Sequence, residues 1–129
     1  MPTRLVTEQH SLLEGLFRTA CEAASPALVL SPHLPPAPKG RTVAVGAGKA
    51  AAAMAQAVEA DWTGPLSGLV VTRRGQALPC RRIEVVEAAH PVPDLSATEA
   101  ARRILAAVHG LTPDDLVLCL ISGDRKSVV

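Results

Sequence analysis

A ten-residue stretch, Thr42-Val43-Ala44-Val45-Gly46-Ala47-Gly48-Lys49-Ala50-Ala51, constrains this chain more than any other part of it. Its start reads as a short buried strand, Gly46 and Gly48 as a turn, and the alanines opening at Lys49 as a helix. Glycine adopts positive φ freely and lets a ligand approach the backbone closely. A strand turning straight into a helix aims amide N–H groups and the positive end of a helix dipole out of the turn, where an anion can sit. Lys49 adds a mobile full charge at the mouth. The stretch therefore predicts an α/β layer with a phosphate or carboxylate site on its rim. The bland alternative is a tight strand–helix turn that exposes a lysine.

The rest of the chain repeats the alternation. Over residues 7–24, Leu12, Leu13, Leu16, Phe17, Ala20 and Ala24 share one face, which predicts a helix packed on the sheet. Residues 25–40 contain Pro26, Pro32, Pro35, Pro36 and Pro38 and predict a surface connection with neither regular helix nor central strand. A helix is expected over 49–60. Leu69-Val70-Val71 and then Ile83, Val85 and Val86 supply two further strands, the first ending in Thr72-Arg73-Arg74-Gly75-Gln76. Ser96 and Glu99 have capping-box spacing before the apolar stripe Ala97, Ala100, Ala101, Ile104, Leu105 and Val108, and Gly110 is placed to end that helix. Leu116–Ile121 is apolar throughout, which predicts a fourth strand buried on both faces.

Short strands separated by helices predict parallel pairing through right-handed crossovers, a Rossmann-like parallel sheet flanked by helices. Ligands in such sheets gather beyond the carboxyl ends of the strands. Here those ends carry 46–49, 72–75, 90–94 and 122–123, and this convergence is the functional signal.

Bulk properties remove several classes. With 129 residues the chain is one domain or part of one. A net charge of +1 makes no electrostatic case for nucleic acid or an acidic membrane surface. Arg81 and Arg82 read as a solvated strand end. Cys21, Cys80 and Cys119 are odd in number and lack disulfide or metal-ligand spacing, which favours a reducing, cytoplasmic setting. Cys119, in an apolar run, is expected in the core. Neither a signal peptide nor a run of the ~20 apolar residues that span a bilayer is present in the sequence.

Taken singly, the motifs leave alternatives open. Gly46, Gly48 and Ala51 fit G-x-G-x-x-A, a weak dinucleotide fingerprint in which Arg73 or Arg74 could receive a 2′-phosphate. The spacing of a P-loop is missing. His90 suits either a cleft or a hydrogen bond to its own loop. Asp94 suits a helix cap, a substrate contact, or both. Arg73 at a strand end suits a bidentate grip on carboxylate or phosphate.

The runs Val45-Gly46-Ala47-Gly48-Lys49-Ala50, Leu69-Val70-Val71-Thr72-Arg73, His90-Pro91-Val92-Pro93-Asp94 and Leu116-Val117-Leu118-Cys119-Leu120-Ile121-Ser122-Gly123 resemble, in order and spacing, the N-terminal domain of glycerate 2-kinases. These are the class II glycerate kinases with a C-terminal MOFRL domain, also labelled hydroxypyruvate reductases. The resemblance implies ATP-dependent, Mg²⁺-assisted phosphorylation of the 2-hydroxyl of D-glycerate. It implies that Lys49 is catalytic, holding the transferring phosphoryl group or the substrate carboxylate. Gly46, Gly48, Arg73, His90 and Asp94 would line the substrate and nucleotide cleft, and Ser122 and Gly123 would begin a phosphate loop. Such chemistry depends on positioning and on neutralising spread negative charge. The general base is unassigned.

Two departures from the family pattern touch the site. Arg74-Gly75-Gln76 stands where tyrosine–glycine–histidine is usual, and Ala89 replaces the glycine before His90. A third is abrupt. After Gly123 the family continues with glycines, serine and alanine, whereas this chain reads Asp124-Arg125-Lys126-Ser127-Val128-Val129. That hexapeptide is also what one reading frame of a common sequencing-library adapter encodes. The expectation is therefore a partial N-terminal α/β domain over 1–123, a non-native tail over 124–129, and a missing C-terminal domain. On that expectation the piece alone is inactive and poorly soluble. Two other readings stay open: an NAD(P)H-dependent hydroxypyruvate reductase and a non-catalytic anion-binding module.

Overall fold

The computed structural model describes residues 4–89, 92 and 94–123. Its centre is the strand expected from the opening stretch, β1 (Thr42–Ala47), which pairs in parallel with β2 (Leu66–Arg73) on one side and β4 (Leu116–Ile121) on the other. β3 (Glu84–Ala88) adds in parallel outside β2, giving the order β3-β2-β1-β4. The expected parallel α/β architecture is what the chain adopts.

Alternation along the strands builds two faces. Ala44, Leu66, Val70, Leu118 and Leu120 pack with Ala51, Ala55, Val58 and Trp62 of helix α3 (Ala51–Asp61) and its C-cap. The alanines of α3 let its backbone sit close to the sheet. Val43, Val45 and Leu69 are buried on the opposite face. There α4 (Leu95–Ala107) lies over β2, β3 and β1 and buries Ala100.

The link from β2 back to the start of β3 contains no helix, so side chains hold it down. Gln56 donates to the Pro79 carbonyl at 2.9 Å. The Glu59 carboxylate accepts from the amides of Arg81, Arg82 and Ile83 at 2.8, 2.5 and 2.7 Å. Arg82 in turn donates to the carbonyls of Glu59, Trp62 and Gly64 at 2.7, 3.1 and 3.2 Å. Its guanidinium thereby satisfies carbonyls that the end of α3 would otherwise orphan. Arg82 is half-buried, so the expectation of a solvated strand end is corrected for this residue.

Burial pushes the Glu59 carboxyl up, but the three amide hydrogen bonds and the Arg82 charge together outweigh it and hold the group below its ordinary 4.5. Because the folded value is the lower one, this contribution is complete above about pH 4.5 and is lost as pH falls through the folded value. Glu59→Ala is expected to destabilise the fold by about 2–3 kcal/mol. Urea midpoints measured from neutral pH into the acid range check both points. Glu59→Gln should show a shallower acid loss than the parent.

Four further expectations need correction. The first helix, α1 (Arg4–Ala23), forms but does not lie on the sheet; its stripe is exposed, Phe17 at 72%, because α3 and α4 already occupy the two sheet faces. The proline-rich connection holds a single-turn helix α2 (Pro26–Val29) and a 3₁₀ turn (Ser31–His33), since proline is tolerated in a first helical turn. β4 is an edge strand open on one face, where α4 leaves Val117, Cys119 and Ile121 exposed, Ile121 at 64%. Cys119 is accordingly a surface thiol. Finally, of the two caps the sequence offered for α4, the structure uses Asp94, as expected for that residue, and not the Ser96 capping box, because a carboxylate at 94 reaches two helix amides at once.

Candidate active site

The register sets the rim. Gly46 lies opposite Leu120 and Ala47 opposite Ile121, so the turn after β1 stands beside Ser122. Start and end of this pairing are both fixed. At the start, the Asp115 carboxylate accepts from the Arg41 amide at 2.8 Å and from the Thr112 amide at 2.8 Å. At the end, the Ser122 amide donates to the Ala47 carbonyl at 3.0 Å, and the Ala50 amide donates to the Ser122 hydroxyl at 3.0 Å. Ala50, the N-cap of α3, has no side chain to cap with. Ser122 thus anchors the first turn of that helix from another strand.

β2 holds the turn from the other side. The Gly48 amide donates to the Val71 carbonyl at 3.1 Å, and the hydroxyl of buried Thr72 reaches the Lys49 carbonyl at 3.5 Å. Lys49 itself is exposed, and among the described residues its ammonium makes no ion pair.

The glycines have a reason the sequence did not show. A Cβ at Gly46 would collide with the Leu120 carbonyl, and one at Gly48 with the Ser122 carbonyl; Gly48 also has a φ of 124°. The glycines are thus required by the close approach of the backbone at 120 and 122. The amides of Gly48 and Ala50 are likewise engaged within the protein, so the picture of a turn full of free N–H groups is corrected.

Arg73 ends β2 and is exposed. The loop behind it is clamped. The Arg74 amide donates to the Ala88 carbonyl at 3.3 Å and the Gln76 amide to the Arg73 carbonyl at 3.0 Å. Glu87 accepts from the amides of Gly75 and Ala77 at 3.1 and 3.4 Å. Arg74 Nη2 donates to Asp94 Oδ2 at 3.1 Å, tying this loop to the start of α4. The other oxygen, Oδ1, accepts from the amides of Ser96 and Ala97 at 3.0 and 3.3 Å and from the Ser96 hydroxyl. That hydroxyl foremost, then the amides and the Arg74 charge, outweighs slight burial and holds the Asp94 carboxyl below its usual range.

The structure therefore brings Gly46, Gly48, Lys49 and Ser122 into one hydrogen-bonded unit, and places Arg73 at the carboxyl end of β2 and Asp94 at the amino end of α4. Gly123 is exposed at a φ of 126°. His90 lies outside the described residues, as do Pro91, Pro93 and 124–129. Sequence reasoning did not assign roles to Thr72, Glu87 or the Arg74–Asp94 pair. The cap role of Asp94 was among the sequence readings; nothing local announced Glu87.

Lys49, Arg73 and Arg74 give the rim the chemistry of an anion site. Its two nearby carboxylates, Asp94 and Glu87, are held by amides. Among the described residues no group of three His, Cys, Asp or Glu side chains could hold a metal. Asp94 and Glu87, already engaged by amides, would have to give up those bonds to serve as Mg²⁺ ligands. Among the described residues, too, no helix is long and apolar enough to cross a membrane.

The fold is of the parallel α/β class, a four-stranded sheet flanked by helices, with lysine and arginine at its strand ends. More narrowly, residues 12–129 match the profile of a family described as a domain of unknown function, DUF4147, and the chain belongs to that family. An Agrobacterium vitis protein provisionally named hydroxypyruvate reductase is 53% identical over 121 residues, 93% of this chain and 28% of its own length. A Thermotoga maritima protein named D-glycerate 2-kinase is 36% identical over 115 residues, 88% of this chain and 28% of its own. The crystal structure of a glycerate kinase from Thermotoga maritima superposes with a TM-score of 0.72 at 30% identity, covering 88% of this chain and 28% of that one. The chain thus spans between a fifth and little more than a quarter of the length of the curated relatives it matches.

Proposed function

We propose that the chain is the part of an ATP-dependent D-glycerate 2-kinase that supplies the cationic rim for the acid or the transferring phosphoryl group, with Mg²⁺ as the accompanying metal. The observation that carries this reading is the anchoring of the turn at Lys49 and Ala50, whose Lys49 carbonyl is reached by the Thr72 hydroxyl from β2 and whose Ala50 amide donates to the Ser122 hydroxyl just beyond β4. It presents a full positive charge from a fixed backbone, which is what stabilising spread negative charge requires. Kinship with proteins named glycerate 2-kinase supports the substrate class. The metal's ligands belong to parts of the protein beyond these residues, and no step is derived through it.

On this reading the 129-residue piece has no turnover by itself, because the facing wall of the cleft is not in it. The naming of the relative that is 53% identical favours a second reading, NAD(P)H-dependent hydroxypyruvate reduction. Against that stands the weakness of the glycine fingerprint, since the close approach of the Leu120 and Ser122 carbonyls already requires both glycines. Coupled assays on the full-length protein separate the two. ADP release dependent on D-glycerate is expected; NAD(P)H consumption with hydroxypyruvate and no ADP release would overturn the kinase reading. Binding of phosphate ligands with neither activity would indicate a non-catalytic module.

A further inference from the structure

We infer that Arg74 selects the carboxylate of the acid at this rim, and that Asp94 holds its guanidinium in reserve until that carboxylate displaces it. The ligand class, a small hydroxy acid, rests on the kinase reading above.

Four hydrogen bonds, those of the amides of Arg74, Gly75, Gln76 and Ala77, fix the backbone from which the Arg74 side chain leaves. Arg74 follows Thr72 by two residues, so its Cα lies within ~7 Å of that of Thr72. The Thr72 hydroxyl in turn touches the Lys49 carbonyl. Arg74 and the turn that carries Lys49 therefore belong to the same end of the sheet, with the arginine side chain reaching toward the start of α4.

Asp94 divides its work between its two oxygens. Oδ1 carries all the donors of the helix cap, and Oδ2 carries Arg74. Losing the arginine leaves the cap intact. The pair itself is open to water, with side-chain exposures of 65% and 39%, and pairs of this kind contribute little. Among the described residues the guanidinium makes this one hydrogen bond, although it has five N–H donors in a planar fork. A free carboxylate can take two of them side by side and out-compete a single contact. Glycerate-like acids meet that requirement with their C1 carboxylate.

The test measures D-glycerate binding to the full-length protein by calorimetry without ATP, with ADP release and melting temperature recorded alongside. Arg74→Gln is expected to weaken binding about tenfold or more at an unchanged melting temperature, and Arg74→Lys to recover part of the loss. Asp94→Asn keeps the cap, because asparagine caps as well as aspartate, and frees the arginine. It is expected to tighten binding about two- to fivefold, the fold-change that corresponds to losing a weak competing pair. Arg74→Gln binding like the parent would overturn the inference. So would Asp94→Asn binding ten times more weakly, which would make Asp94 the ligand, and so would a parent that binds no D-glycerate. Binding that follows the expected order without any ADP release sustains the role of Arg74 and sinks the kinase reading alone.

Discussion

Gly48→Ala should cost the fold about 3–5 kcal/mol, enough to abolish cooperative unfolding in a domain of ordinary stability. Two independent penalties meet at this position. The backbone sits at a φ of 124°, a region that side-chain-bearing residues rarely adopt, and an added Cβ would run into the Ser122 carbonyl. Neither can relax cheaply. Ser122 is bonded to both Ala47 and Ala50, so moving it releases the end of β4 and the first turn of α3 together. Gly46→Ala should behave similarly through the Leu120 carbonyl, without the φ penalty. Gly15→Ala is the control. It lies in α1 with nothing near its Cβ position, and should leave the fold unchanged or firmer by up to ~1 kcal/mol. Urea titration of the three variants decides the matter, and a Gly48→Ala protein within about 1 kcal/mol of the parent would refute the close-approach argument.

The same glycines show what the sequence could and could not convey. The strand, the turn and the helix were legible at 42–51 because apolar period and glycine placement are local signals. The reason for the glycines was not, because the atoms that exclude a side chain belong to residues 120 and 122. Parallel pairing followed from the alternation of elements except between β2 and β3, which no helix separates, and it fixed which loops share a rim. β4 misled, since an apolar run signals a strand without saying how many faces are covered, and at the sheet edge Val117, Cys119 and Ile121 meet no helix. The stripe on α1 misled in the same way: periodicity shows that Leu12, Leu13, Leu16 and Phe17 share a face and not what lies against it. The positions of Lys49 and Arg73 just beyond or at strand ends were legible because each closely follows an apolar run. Glu87 and the partner of Arg74 depend on which strands become neighbours, which no single window contains.

Lys49→Met should lower kcat/KM of the full-length protein for D-glycerate and ATP by about 10²–10³, with little change in melting temperature. The separation of the two readouts comes from the structure. Lys49 contributes its carbonyl to the Thr72 hydroxyl, a contact any side chain preserves, while its ammonium is exposed and has no ion-pair partner among the described residues. Surface substitutions of that kind change stability by about 0.5 kcal/mol or less. Ser122→Ala offers the contrast. Its hydroxyl accepts from the Ala50 amide, so its loss should lower activity and stability together by leaving the first turn of α3 unanchored. Lys49→Arg should recover only part of the activity, because a planar fork cannot replace a compact ammonium at a site built for one. Full activity in Lys49→Met would remove the charge from the mechanism and leave the rim to the arginines. A loss confined to KM would instead place Lys49 on the ground-state acid, since an interaction felt only in the transition state lowers kcat.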